Sequence, residues 1–445
     1  AGGPGAPGRA PGAARRGAAR WTGRAALAVV SAWLLLALVN WLTGRFWWWG
    51  GAVPLLPFFA VPLLLLGSVP MLLLARTRLP RLERVLVSLS AAGVALIVLR
   101  RLLTGRTWIW VVPDLMVPPL LYALLPAALL ATLAVLGLCR ISVAVTARRW
   151  TALLAVTALG LGLDQAGLTL RMPWDGGDGP APPGALRVVS WDTYCWNTTD
   201  DPGGFFRYLK KWDADVYLLQ EHSGCGPGAP VPIEDGELLR REFPAHHVVA
   251  ADGLLTISRF PVAAQVPLGT NPNPFAPRWV RAALRTDLRI GERPLSVYNV
   301  HLYDMLYLSS SPLTPRFHRA IEALDAERRT QFDALAADID GNPNPVLVSG
   351  NLNTLPGMGH LRRLDHLRDA ARAGGSPYPA TLTFAGLRLW RMDWTLTSHD
   401  VRVHRYDLRS PEGMSSHHLQ DMVVSLSADE GAAPPPRRNP DPKEG

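Results

Sequence analysis

The sequence predicts an α/β protein in two parts, a multi-pass transmembrane helical region followed by a sheet-based domain. Three observations predict this. Long apolar stretches recur through the first 170 residues. Arginines are gathered in blocks between them. After residue 185 the apolar runs become short and alternate with polar or helically periodic segments, as strands and helices of an α/β domain do.

Composition sets the limits. The chain has 445 residues, 48% hydrophobic and 18% charged, so it is no disordered chain and is long enough for two or three domains. Three cysteines, Cys139, Cys195 and Cys225, with no CxxC pair, exclude a disulfide scaffold and a zinc finger. Residues 1–184 carry 17 arginines against five acids, a net of +12, and residues 185–445 carry 28 bases against 31 acids, a net of −3. The basic part is the apolar part, so the charge reads as membrane topology. Nucleic acid is disfavoured as a partner. Oligomeric state is left open.

Residues 1–24, rich in Gly, Pro and Ala with five arginines, cannot bury a core and are expected to be disordered. Apolar stretches follow at 25–42, 52–75, 85–99, 109–138 and 151–170. A span needs about 20 apolar residues. The third stretch is short, but Arg84, Arg100 and Arg101 can snorkel beside it. With the N-terminus inside, twelve arginines lie in inside segments and four (Arg45, Arg100, Arg101 and Arg106) outside. That bias puts five spans across the cell membrane and everything after residue 170 outside the cytoplasm. A re-entrant third stretch would leave four spans and turn the domain inward. Trp47, Trp48, Trp49, Trp108 and Trp110 fit an interfacial belt, and Asp164 is the odd acid of the last span. Residues 171–185 read as a linker, 186–427 as the folded domain and 428–445 as a disordered tail.

Within the domain, strands are predicted at 186–191, 215–220, 253–258, 295–301, 345–350, 393–398 and 421–426. Helices are predicted at 202–212, 317–340 and 358–373. Polar residues stand at the ends of these runs: Asp192, Glu221, Asn299 and His301, Asn351 and Asn353, Asp393, Ser416 and His417. Strand ends on one rim of a sheet are where α/β proteins gather ligand groups.

The order of these motifs resembles the endonuclease/exonuclease/phosphatase superfamily, which includes DNase I-like nucleases, sphingomyelinases and inositol-phosphate phosphatases. VVSWDTYCWN, DADVYLLQE, GLLTISRFPV, VYNVHL, RRTQ, VLVSGNLNT, RMDWTLTS and SSHHLQDMVVSL carry the likeness over residues 186–427. It implies a four-layer αββα sandwich. It also implies a divalent metal, Mg²⁺ or Mn²⁺, on Glu221, and Asp192, an acid at the adjacent strand end, would pair with Glu221 around that ion. His301 and His417 would flank the phosphorus, Asp393 would hold His417 in its tautomer, and Asn299, Arg328 and Asn353 would face the substrate. Three positions depart from the pattern. Asp192 stands where the family has Asn, and Asn351 and Ser416 stand where it has Asp. A membrane region joined to an outside domain of this family resembles the VanJ-type arrangement.

The resulting expectation is a membrane-anchored, metal-dependent phosphoester hydrolase acting outside the cytoplasm on a lipid-linked or cell-envelope phosphate. Its partners are the lipid bilayer and that phosphorylated substrate. Two alternatives stand beside it: a pseudoenzyme that binds a phosphorylated ligand, because an amide at 351 cannot act as a base, and a membrane-tethered nuclease. Cys195 and Cys225 follow Asp192 and Glu221 closely, so they are either bridged across neighbouring loops or two separate thiols. The irregular segments 270–281 and 309–319, with Arg278 and Arg316, are the expected substrate-facing loops.

Overall fold

The structure, a computed structural model, describes residues 56–75, 77, 79–169, 181–196, 201–224, 233–269, 282–305, 314–384 and 386–427. The expectations for residues 1–24 and 25–42, for Trp47 to Trp49, for most of the 171–185 linker, and for Cys225, Arg278, residues 309–313 and the 428–445 tail lie outside these.

The central strands are apolar on both faces, and such strands need cover on both sides. β1 (Leu186–Asp192) and β2 (Val216–Gln220) are almost wholly buried and pair in parallel. They lie in a six-stranded sheet with β3 (His247–Ala251), β4 (Leu254–Ser258), β13 (Val401–Arg409) and β14 (Leu419–Leu426), in the order β13-β14-β1-β2-β4-β3. A second six-stranded sheet holds β5 (Val262–Leu268), β6 (Ala283–Ile290), β7 (Arg293–His301), β8 (Val346–Asn351), β9 (Arg368–Asp369) and β12 (Asp393–Thr397), ordered β5-β6-β7-β8-β12-β9. There β7 and β8 are the parallel pair. A small hairpin, β10 (Leu382–Phe384) and β11 (Leu387–Trp390), forms a separate sheet joined to the start of β14 by a bridge between Leu382 and His417.

The sheets pack face to face through Val188, Val216, Leu218 and Met422 against Leu295, Val297 and Leu347. Helices complete four layers. In chain order the described helices are α1 (Leu56–Leu74), α2 (Arg81–Leu103), α3 (Val111–Met116), α4 (Leu121–Leu138), α5 (Val145–Gly162), α6 (Pro202–Lys210), α7 (Gly236–Glu242) and α8 (Pro315–Gly341). α6 and α7 cover the first sheet through Phe205, Phe206, Leu209 and Leu239. α8 covers the second through Phe332, Leu335 and Ile339. Both α6 and α8 start where the sequence marks a start: Asp201 and Thr314 accept backbone N–H groups as caps, and proline opens each first turn.

The helix expected over 358–373 is absent. Two 3₁₀ turns, Gly359–Leu364 and Ala370–Ala373, flank β9 instead. Leu361, Leu364 and Leu367 face the α8 core at intervals of three, a spacing that a 3₁₀ turn also satisfies.

Upstream, α1, α2, α4 and α5 lie side by side. α2 and α4 are long and apolar enough to cross a membrane. The apolar stretch 109–138 is not one helix. It forms a 3₁₀ turn at Trp108–Trp110, then α3, and restarts at α4 after Pro118 and Pro119. This broken segment packs on the sandwich: Val111 meets Met305, Phe317, Ile321, Leu355 and Met358. Asp164 lies beyond the end of α5, exposed and paired with Arg101.

Arg100 does not snorkel. It is fully buried, and its Nε donates to Asp114 Oδ1 at 2.7 Å. Its Nη1 donates to Gln165 Oε1 at 3.1 Å and its Nη2 to the Pro356 carbonyl at 2.7 Å, joining helix to sandwich. Thr104 donates to Asp114 and accepts from the Gly359 N–H. Gly105 lies so close to Gly359 that a Cβ would sit 2.7 Å from its Cα.

Arg100→Ala leaves Asp114 a buried, unpaired charge, and should cost about 3–5 kcal/mol. Arg101→Ala breaks a pair whose side chains are 41% and 62% exposed, and should cost about 1 kcal/mol or less. Melting temperatures of the two full-length variants in detergent would separate these; equal losses would contradict the burial.

Candidate active site

Parallel pairing fixes where the functional side chains emerge. Because β1 runs parallel to β2, and β7 to β8, four strands end on one rim. They deliver Asp192, Glu221, His301 and Asn351. β12 runs antiparallel to β8, and β14 to β1, so they begin at that rim and bring Asp393 and His417 to it. The register aligns His301 with Asn351 and Asn351 with Asp393 in a row across the second sheet.

Asn351 Nδ2 donates to Asp192 Oδ2 across the sandwich at 2.8 Å. Asp192 Oδ1 accepts the Tyr194 N–H at 3.0 Å. His301 Nε2 lies 3.9 Å from Asp192 Oδ2 and 3.7 Å from Glu221 Oε1. His417 Nδ1 and Asp393 Oδ2 are 2.8 Å apart. Ligand atoms of Asp192, Glu221 and His301 all lie within 4.8 Å of one another, and so do those of Asp192, Asp393 and His417. The first group offers two carboxylates and an imidazole, a set of mainly hard oxygen donors that suits a divalent cation.

Backbone strain holds several of these groups. Tyr194, Cys195, Glu221 and Asn353 all have positive φ, at 50°, 62°, 56° and 46°. Such conformations cost energy and persist only where surrounding bonds enforce them. Here Cys195 N–H donates to Glu221 Oε2 at 2.8 Å, and Asn353 N–H donates to Asn351 Oδ1 at 2.8 Å. Gly350, at φ +142°, is required for the close approach of β7, since a Cβ there would sit 2.1 Å from the Val300 carbonyl. Cys195 is disulfide-bonded and Cys139 is a free thiol.

Electrostatics follow from this crowding. Burial works against a charge on His417, but the carboxylates of Asp393 and Asp192 outweigh it and push its pKa up to about 10. Burial likewise opposes the Asp192 charge, and His417, His301 and the Asn351 amide overcome it, holding that carboxyl below its ordinary range. Burial and repulsion from Asp192 raise Glu221 to about 7. At neutral pH an ionised Asp192 thus faces a protonated His417.

Two residues expected at the substrate are elsewhere. Asn299 is fully buried between the sheets, donating to the Leu219 and Leu255 carbonyls and accepting from Gln220 Nε2 at 2.6 Å. Arg328 is buried under the rim, where it donates to the Tyr303 and Leu352 carbonyls and to Thr354. It holds the loops that follow His301 and Asn351. Asn353 is at the rim, but its Nδ2 donates to the Leu302 carbonyl at 2.8 Å. Arg316 lies in the first turn of α8.

Other contributors escaped the sequence reading. Ser415 donates to the Asp192 carbonyl and accepts the His417 N–H, so it, rather than Ser416, braces the last histidine. Trp191 Nε1 donates to the His417 carbonyl. Thr381 Oγ1 accepts the Met392 and Asp393 N–H groups at 3.0 Å each. Asp304 adds negative potential at Glu221. Ser415 was readable in SSHH; the others carry no local signal.

The sequence profile of the Endonuclease/Exonuclease/phosphatase family matches residues 189–417, just over half of the chain. The chain belongs to this family. Its members are hydrolases of phosphoesterase and nuclease type, generally with a divalent metal. No curated protein matches in sequence. Similar solved structures include an endonuclease/exonuclease/phosphatase from Beutenbergia cavernae (18% identity, TM-score 0.41, covering 54% of this chain and 72% of that one). Truncated Caenorhabditis elegans TDP2 is also similar (17%, 0.39, 55% and 98%). So is sphingomyelinase C from Streptomyces griseocarneus (17%, 0.37, 54% and 99%).

A histidine whose pKa rises on folding adds stability in full below its unfolded value near 6.5 and loses it as pH climbs through about 10. In chelator, wild-type melting temperature should therefore fall between pH 7 and pH 10. Asp393→Asn should be less stable at pH 7 and flatter over that interval. Identical slopes would mean the pair carries no such coupling.

Proposed function

We propose that this chain is a membrane-anchored, divalent-metal-dependent phosphoester hydrolase, with its catalytic domain outside the cytoplasm, acting on a lipid-linked or cell-envelope phosphate. The observation that carries the reading is the Asp393–His417 pair set against the Asp192, Glu221 and His301 cluster on one rim. Asp192 and Glu221 would hold the ion, which when bound polarises a phosphoryl oxygen and stabilises charge there. Asp393 fixes the His417 ring, so its Nε2 holds a proton that can pass to a leaving oxygen. His301 Nε2 faces the carboxylates and is placed to orient an attacking water.

The membrane half of the proposal rests on where apolar surface remains. Among the described residues every exposed large hydrophobic side chain except Tyr194 lies upstream of the sandwich. On a folded surface, that much apolar exposure in one region marks a lipid or protein contact. The C-terminal ends of Arg81–Leu103 and Val145–Gly162 and the N-terminal end of Leu121–Leu138 meet the sandwich. Arg81, Arg84, Arg140, Arg148 and Arg149 lie toward the opposite ends. Arginines collect on the cytoplasmic side, and this distribution supports a domain on the other.

A lipid-borne substrate is supported by proximity. Pro356, which accepts from Arg100 near the end of a membrane-length helix, is three residues from Asn353. Three residues reach at most about 11 Å. That short reach supports a substrate presented close to the bilayer surface.

Full-length protein in detergent, supplied with Mg²⁺ or Mn²⁺, should hydrolyse bis-p-nitrophenyl phosphate and lipid diphosphates. Glu221→Gln and His417→Ala should each lower kcat about 10²–10⁴-fold. Absence of turnover with retained ligand binding would favour the binding-protein alternative. In intact cells, external protease should cleave the domain; protection would reverse the topology.

A further inference from the structure

The carboxylate Asp192 and the amide Asn351 face each other from the ends of β1 and β8, on different sheets. Both are almost fully buried, 1% and 3% exposed. The amide's orientation is dictated by its neighbours. Oδ1 receives a backbone N–H from Asn353 at 2.8 Å, and Nδ2 gives its proton to Asp192 Oδ2 at 2.8 Å. A backbone N–H only donates and an ionised carboxylate only accepts, so a flipped amide would lose both bonds. Asn351 is therefore an anchor that carries no charge and can accept no proton.

Asp192, by contrast, is the carboxylate shared by both clusters, the one with Glu221 and His301 and the one with Asp393 and His417. Its remaining oxygen is held by the Tyr194 N–H, and its own carbonyl by Ser415, which also takes the His417 N–H.

We infer that Asp192 and Asn351 form a single reversible carboxylate–amide unit, in which β1 rather than β8 carries the negative charge that positions both histidines and helps to hold the cation. The inference rests on the hydrolase reading above and specifies which residue of its site does this work. Reversibility follows from the bonds. In the reciprocal variant Asp192→Asn/Asn351→Asp, the new amide can still accept from Tyr194 N–H and donate across the sandwich. The new carboxylate can accept that bond and the Asn353 N–H. Side-chain volume and net charge are unchanged. Each single variant breaks the unit. Asp192→Asn sets two amides face to face and removes the charge. Asn351→Asp sets two carboxylates at hydrogen-bond distance, where they cannot both ionise.

The test is the full cycle of two single variants and the reciprocal double variant, in full-length protein. Three quantities are read: Mn²⁺ affinity by calorimetry, melting temperature in chelator, and turnover of bis-p-nitrophenyl phosphate. Asp192→Asn should lose turnover about 10²-fold or more and weaken Mn²⁺ binding measurably. Asn351→Asp should melt lower than wild type and gain no turnover. The double variant should recover turnover and Mn²⁺ affinity to within about tenfold of wild type, far above Asp192→Asn, the signature of coupled neighbours. A double variant no better than Asp192→Asn, or one that fails to fold, overturns the inference. So does Asn351→Asp turning over faster than wild type, because the site would then simply lack a second acid. If no protein in the cycle hydrolyses any phosphoester, the hydrolase reading fails. The Mn²⁺ and melting cycles still decide whether the unit is reversible.

Discussion

The site depends on one topological constraint, a parallel strand pair in each sheet. Among the described strands β1–β2 and β7–β8 run parallel, while the other paired strands run antiparallel. Parallel neighbours end together, so each sheet delivers two adjacent strand ends to the same edge. Packing the sheets face to face then brings four ends into one cleft. Gln220, just before Glu221, bonds to Asn299 of the opposite sheet at 2.6 Å. That bond lies between the sheets, as does a second one in which Thr395 Oγ1 donates to Gln420 Oε1 at 2.9 Å. An unpartnered amide there would be costly, so the bond specifies how the two sheets align. Alignment of the sheets is in turn what sets Asp192 opposite Asn351.

The upstream helices and the site are one mechanical system. Loops that follow His301 and Asn353 carry Met305, Leu355 and Met358 into an apolar cluster with Val111. Arg328 ties the same loops from beneath through carbonyls of Tyr303 and Leu352. Arg100 reaches the same region from the helical side. Burying a guanidinium costs several kcal/mol, offset here by Asp114, by Gln165, by the Pro356 carbonyl and by the Tyr122 ring 4.6 Å away. A flexible tether would need none of this. The loop beside Asn353 is instead braced from two directions, and its conformation depends on both halves of the chain.

How much of this could be read in the sequence follows from what periodicity can and cannot encode. Strands apolar on both faces were legible, because an unbroken Val/Leu run bounded by polar residues has few other readings. The residues closing those runs, Asp192, Glu221, His301, Asn351, Asp393 and His417, were legible for the same reason. Asn299 was misread because it lies two residues before a true rim residue, on the same strand. Nothing local distinguishes a polar side chain that bonds between sheets from one that faces solvent. Arg328 was misread because its partners are carbonyls of loops 24 and 25 residues away. β13 went unseen: its inward Val401 and Tyr406 are separated by Arg402, His404 and Arg405, and a register shift interrupts the alternation. The segment 358–373 has apolar residues at intervals that suit either helix type, and nothing local marks that its Gly359 N–H bonds to Thr104, far away in sequence.

The two exchanged positions show why a site is better read as a set of bonds than as a set of letters. Taken singly, Asp192 looks like an added charge and Asn351 like a lost base. Taken as a hydrogen-bonded pair, they contain one carboxylate and one amide, and each of their four side-chain polar atoms has a hydrogen-bond partner. The surrounding charges respond to the pair as a whole. Asp192 is held ionised by two imidazoles and an amide, and its charge in turn raises Glu221 and His417. A second acid at 351 would sit against Asp192 in a buried pocket and compete with it for the same protons. The amide is what allows a single buried carboxylate to remain charged between two histidines, and the backbone strain at Tyr194 and Asn353 is the cost of supplying the two N–H groups that fix the pair.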